Sequence, residues 1–157
     1  MKFTHLVEIN DPLNPLIDPL TRDQLWRGLV LRAEQPGKFI PWLDGCDIVE
    51  RTAASISRRS RYGEVVISDI VRFAPQERIH YRVPAQADIP ASDLHVTIEE
   101  PQSGLLFVRF EYDDGTPEID GSADAFYNEF RRSAYQEADI DTVRVIRQLA
   151  ADGMLGQ

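Results

Sequence analysis

Apolar and polar positions alternate with a period of two over residues 2–10 and in a run of segments from Cys46 to Tyr112, then switch to a helical period over the last thirty or so. Phe3, His5, Val7 and Ile9 share one face of the opening segment, and Lys2, Thr4, Glu8 and Asn10 share the other, which predicts a strand over residues 2–10. Asp11 to Leu20 carries Pro12, Pro15 and Pro19, and proline at that density forbids a regular helix or central strand. The stretch is expected to be a surface loop. Thr21 followed by Gln24 has the spacing of a capping box. The helix it starts places Leu25, Trp26, Leu29, Val30 and Ala33 at helical intervals and ends at Pro36-Gly37. Phe39 to Leu43 reads as one or two helical turns closed by Asp44-Gly45.

From Cys46 the period becomes two. The pattern predicts strands over 47–60, 64–73, 78–83, 94–100 and 105–112, with turn signals at Arg61-Tyr62-Gly63, Ala74-Pro75-Gln76-Glu77 and Gln102-Ser103-Gly104. A proline-bounded connection runs from Pro84 to Pro90. Leu94, Val96 and Ile98, then Leu106, Val108, Phe110 and Tyr112, face one way, and His95, Thr97, Glu99, Arg109 and Glu111 face the other. One-sided burial of this kind belongs to an antiparallel meander with one wet face. The final pattern, residues 122–151, is one helix about 45 Å long at 1.5 Å per residue. Asp120 or Ser122 is placed to cap it, and its apolar stripe is expected to hold Ala123, Phe126, Tyr127, Phe130, Ala134, Ala138, Val145, Ile146 and Leu149. A sheet with one apolar face and a helix with one apolar stripe must cover each other. The expected architecture is α+β, an antiparallel sheet of six or seven strands wrapped around a long C-terminal helix, in a single domain spanning 1–157.

Charge narrows the class of partner. The net charge of −9 argues against nucleic acid and anionic membrane, which both require basic patches. No apolar run is long enough to span a bilayer, and Met1 to Glu8 lacks the apolar core of a signal peptide. A lone cysteine, Cys46, excludes an internal disulfide and fits a reducing cytoplasm, so a cytoplasmic monomer or small homo-oligomer is expected.

The order strand, two short helices, meander, long helix resembles the START-like (SRPBCC) helix-grip superfamily, which includes birch-pollen-allergen-like proteins and polyketide cyclases. The segment Leu25-Trp26-Arg27-Gly28-Leu29 through Pro36, Phe39-Ile40-Pro41 and Cys46-Asp47-Ile48 resembles more narrowly the small family typified by the acetylaranotin-cluster protein L. That resemblance implies a curved sheet gripping the last helix over an apolar cavity, and it supplies no catalytic residues. The superfamily contains carriers, cyclases, hydrolases and chaperone partners, so fold does not dictate function.

No constellation of residues announces a reaction, and no catalytic residue, cofactor or metal is assigned. His5, His80 and His95 fall on separate predicted strands without a His-x-His or Cys-x-x-Cys spacing, so they are expected to be solvent-facing or hydrogen-bonded. Cys46 is expected to be a buried structural thiol. Asp113-Asp114-Gly115 through Asp120-Gly121 fails the calcium-loop pattern and reads as a turn and helix cap. Arg58, Arg59 and Arg61 form the basic cluster of the chain, at a hairpin tip, where they are either solvated surface or a gate for an acidic headgroup. Asp69 and Arg72 interrupt an apolar strand, and whichever points inward needs a partner. The expected function is binding of a hydrophobic or amphipathic small molecule (a lipid, polyketide or aromatic acid), lined by Tyr81, Val96, Ile98, Val108, Phe110, Phe126, Tyr127 and Phe130. Rival readings are a cyclase or hydrolase with His5, Asp69, Arg72 or Tyr81 as polar members, or a protein-binding domain with a filled interior. A gate is expected to be drawn from the loop 11–20, the Arg58–Gly63 hairpin or the connection 84–90, with the Arg58–Gly63 tip flanking the cavity mouth and favouring anionic ligands.

Overall fold

The structure, a computed structural model, describes residues 1–116 and 122–156, with side chains of the last helix described from residue 128 onward. Its elements are β1 (Lys2–Asn10), α1 (Arg22–Glu34), a 3-10 turn (Pro36–Lys38), β2 (Gly45–Arg51), β3 (Ser55–Tyr62), β4 (Val65–Ala74), β5 (Arg78–Val83), β6 (Ser92–Gln102), β7 (Leu105–Asp113) and α2 (Ser122–Ala151). All strand pairings are antiparallel, in the order β1-β7-β6-β5-β4-β3-β2. The meander follows chain order, and β1 closes on β7 because its inward residues Phe3, His5 and Val7 stand opposite Tyr112, Phe110 and Val108. This is the α+β helix-grip arrangement expected from the sequence, with seven strands.

Local chemistry explains most boundaries. The Thr21 hydroxyl accepts from the Gln24 backbone N–H, and the Gln24 side chain accepts from the Thr21 N–H, which is the capping box in full. Gly63 and Gly104 adopt φ of +60° and +83° at two hairpin turns, a region that favours glycine. The strand expected over 47–60 is in fact two, β2 and β3. Thr52 to Ala54 turns the chain without glycine or proline: the Thr52 N–H donates to the Ser55 carbonyl at 2.9 Å, their hydroxyls bond at 2.8 Å, and the Ala54 N–H donates to the Thr52 hydroxyl. Side-chain hydroxyls here do what turn residues usually do.

The core fills one end of the space between sheet and helices. Ile9, Leu25, Leu29, Ile56, Val71, Ile79, Val96, Ile98, Leu106, Val108, Phe110, Val143, Ile146 and Leu149 are all buried there. Gly28 brings α1 close to α2: a Cβ at that position would lie 2.7 Å from Ile146 Cγ2. The face of α2 differs from the expected stripe. Asn128, Asp139, Thr142, Val143, Ile146 and Leu149 are buried, whereas Phe130 is 64% exposed and Ala134 and Ala138 also face solvent. The helix has turned its polar Asn128–Tyr135–Asp139 line inward because the sheet offers matching polar groups there, described below. The cap expected at Asp120 lies outside the described residues, as do the side chains of Ser122, Phe126 and Tyr127. Trp26 packs edge-on to Phe73, but Trp42 is 70% exposed.

Candidate functional site

The other end of the sheet–helix space is not filled. The strand ends at Tyr62, Val83, Ser92 and Asp113, the C-terminal turn of α1 and the middle of α2 enclose a cavity of about 290 Å³. It is lined by Arg32, Pro36 and Ile40 on the α1 side, by Arg58, Ser60, Tyr62, Asp69, Tyr81, Val83, Ser92, Asp93, Leu94, Tyr112 and Asp114 on the sheet side, and by Tyr135 of α2. The Arg58–Gly63 hairpin and the connection 84–90 lie at this end. The loop 11–20 lies at the opposite end, where Pro12 approaches Gly104.

Strand alternation decides which polar groups enter. Arg58 and Asp69 are directly opposed across β3 and β4, and both point inward. Arg58 Nε and Nη2 donate to the two Asp69 oxygens at 2.9 and 2.6 Å, and Nη1 donates to the Ala33 carbonyl at 2.8 Å, capping the last turn of α1. Burial works against the Arg58 charge, but the Asp69 bonds outweigh it and hold its pKa above the ordinary value. Arg59, Arg61 and Arg72 point outward and are exposed. The basic cluster is therefore not a gate of three cations: its one inward member is neutralised by Asp69.

Asp139 is fully buried on α2 and accepts from the Tyr112 hydroxyl and from His5 Nδ1, the latter at 3.1 Å. Burial raises the Asp139 pKa, against the pull of Tyr112, His5 and Arg32. The Tyr112 pKa is also raised, first by burial and then by the Asp139 charge. Asp114 accepts from Tyr135 at 3.0 Å and from Arg131 at 3.1 Å, and pairs with the Met1 ammonium at 2.8 Å. Burial opposes its charge, but these donors and Thr116 win and pull its pKa down to about 2.

The carboxylates that enter the cavity are thus already held by cations, Asp69 by Arg58 and Asp114 by Arg131, while Asp93 turns its carboxylate to the outer face, where Arg82 holds it. None is a free base. Arg32 is the reverse case. Its guanidinium stands 5.5 Å from the centroid of the Tyr81 ring and bonds its hydroxyl, feels the Asp139 charge without a hydrogen bond to it, and its Nε is sealed from solvent without an acceptor. The Arg58 guanidinium lies 5.3 Å from the same ring.

Of the lining residues expected from the sequence, Tyr81 borders the cavity. Val96, Ile98, Val108 and Phe110 sit in the packed core at the other end, Phe130 faces solvent, and the side chains of Phe126 and Tyr127 lie outside the described residues. Arg32, Tyr62, Tyr112 and Tyr135 were not anticipated. For Arg32 a signal existed, since it stands seven residues after Leu25 and three after Leu29, on the apolar stripe of α1.

The histidines also converge more than their spacing suggests. His80 and His95 are directly opposed on the outer face of β5 and β6, with rings stacked at 4.1 Å. With Asp93 they place three ligand atoms within 4.8 Å of one another. An ion there would have to displace His80 and Arg82, which hold the two Asp93 oxygens at 2.7 and 2.6 Å. Cys46 is half-buried and accepts a long 3.5 Å contact from the Ser60 hydroxyl. Among the described residues no helix is long and apolar enough to cross a membrane.

A family model described as acetylaranotin biosynthesis cluster protein L matches residues 7–153, and the chain belongs to that family. No curated protein matches it. Among solved structures it is similar to the Aha1 dimer from Colwellia psychrerythraea, with a TM-score of 0.61 and 10% identity over 93% of this chain and 96% of that one. It is similar to the ZhuI aromatase/cyclase from Streptomyces sp. R1128, with a TM-score of 0.61 and 14% identity over 98% and 94%. Human STARD10 gives a TM-score of 0.65 and 10% identity over 99% of this chain and 66% of that one. At such identities the likeness carries the fold, which is START-like.

Proposed function

We propose that residues 1–157 form one domain that binds a hydrophobic or amphipathic small molecule in the cavity between α1, the sheet and α2. The observation that carries this reading is the asymmetry of the interior. Between sheet and helices one end is packed by aliphatic side chains, and the clefts of about 460 and 330 Å³ at that end lie against the loop 11–20, while the other end keeps about 290 Å³ open beside the rings of Tyr62, Tyr81, Tyr112 and Tyr135. An apolar-walled space with a few fixed polar groups is the usual form of a small-molecule site. Structural neighbours named as aromatase/cyclases support the reading by likeness of fold. Catalysis in the same cavity is the weaker reading, because Asp69 and Asp114 are both engaged by cations. A protein-binding role without a ligand would call for a filled interior.

Thermal-shift measurement against fatty acids, polyketides and aromatic acids tests the proposal, since a ligand bound only by the native state must raise stability. Leu94→Trp, which projects an indole into the cavity from β6, should abolish the shift while the variant stays folded. A chain unmoved by every class, or a Leu94→Trp variant that responds as the wild type does, would refute it.

A further inference from the structure

Resting on that ligand-binding reading, we infer that the ligand is a small aromatic monoacid whose anionic group is received by Arg32, with the hydroxyls of Tyr62 and Tyr81 as neutral donors. Long cations enclosed by protein are almost always paired, because an isolated charge away from water is costly. The interior obeys this rule at Arg58, which takes both oxygens of Asp69. Arg131 pairs with Asp114, and Arg147 donates to the carbonyls of Ile9 and Asp18. Arg32 alone of these is hydrogen-bonded to no carboxylate and no carbonyl among the described residues: it reaches the Tyr81 hydroxyl, and its Nε is sealed without an acceptor. Asp139 does not fill the gap, since its oxygens are taken by Tyr112 and His5. Beside Tyr81 two guanidiniums therefore stand with one hydrogen-bonded carboxylate, Asp69, while Asp139 attracts Arg32 without bonding to it.

An incoming carboxylate would supply the missing acceptors in the forked geometry that guanidinium prefers. Burial raises the Tyr62 pKa, so that hydroxyl stays protonated and able to donate. The Tyr81 oxygen accepts from Arg32 and keeps its own proton to donate. The shape of the space limits the rest of the molecule. A volume of about 290 Å³ lies at the lower end of small-molecule sites and excludes a two-chain lipid. Tyrosine rings on three strands and on α2 favour a flat conjugated body over a flexible chain.

The test compares aromatic carboxylates of one to three fused rings with their primary amides, which keep shape but lose the charge, by titration calorimetry. The wild type should bind at least one acid roughly tenfold or more tighter than its amide. Arg32→Met should erase that preference while leaving the amide within about twofold, and Arg32→Lys should retain part of it, having charge without the fork. Ligand-free Arg32→Met should remain folded, because no carboxylate loses a hydrogen-bonded ion pair when the guanidinium is removed. Acid and amide bound equally by the wild type, or an Arg32→Met variant that still prefers the acid, overturns the assignment while binding itself stands. Silence toward every acid and every amide instead brings down the ligand-binding reading, and this one with it.

Discussion

Asp69 and Arg58 are both buried, so removing one leaves the other charge without its partner. Asp69→Ala should lower unfolding stability by about 3–5 kcal/mol in urea titration, whereas Arg58→Met combined with Asp69→Leu should recover most of it. A single and a double variant of equal stability would mean that the pair contributes nothing specific. His95 provides the pH-dependent residue. Burial, then the charges of His80 and Arg78, hold its pKa below the ordinary value of about 6.5, against the pull of Asp93 and Glu111. The unfolded chain then binds the proton more readily than the native one. Stability should fall as pH drops below about 6.5, until the lowered native pKa is passed. His95→Gln should flatten that part of the stability–pH curve, and an unaltered slope would show that another group causes it. Both residues illustrate what the sequence could and could not tell. It marked Asp69 as an intruder needing a partner, but a slip of one residue in strand register reverses every side chain. Whether Arg58 or Arg59 enters the cavity depends on that register.

At the scale of elements, the close approach of α1 to α2 rests on Gly28. Gly28→Val would place a Cβ 2.7 Å from Ile146 Cγ2 and force the helices apart, at a cost of about 1–3 kcal/mol. Ile146→Ala should be destabilising alone yet partly rescue Gly28→Val, and strict additivity in that double-mutant cycle would refute the contact. Elements were legible where the pattern had one dominant cause. The boundaries of α2, the period of β5 to β7 and the capping box of α1 all follow from local spacing. The β2–β3 turn was not, because Thr52 and Ser55 close it through hydroxyl bonds in a stretch that otherwise reads as strand. Nor was the phase of α2. A stripe drawn through its apolar residues misses that Tyr135 and Asp139 meet partners on the sheet, Asp139 taking the Tyr112 hydroxyl. Partners far apart in sequence, such as Tyr112 and Asp139 or Arg32 and Tyr81, define the cavity, and no local pattern carries them.

The whole molecule sets the approach of a ligand rather than its final contacts. The chain carries a net charge of −9, so an acid arriving from solution meets an unfavourable field before it reaches Arg32. At short range the Arg32 guanidinium, whose Nε has no acceptor, dominates, because a charge enclosed by protein is screened little by salt. These two ranges predict opposite salt responses for the two halves of binding. In stopped-flow measurements the association rate of an aromatic carboxylate should rise as ionic strength is raised and the long-range repulsion is screened. Its dissociation rate should change much less, and the matching amide should show neither effect. Arg59 and Arg61 face outward near the cavity end and oppose this trend locally. Replacing both with glutamine should slow the acid further at low salt and leave its dissociation untouched. An association rate that falls with added salt would instead mean that those arginines, and not the net charge, govern the path of entry.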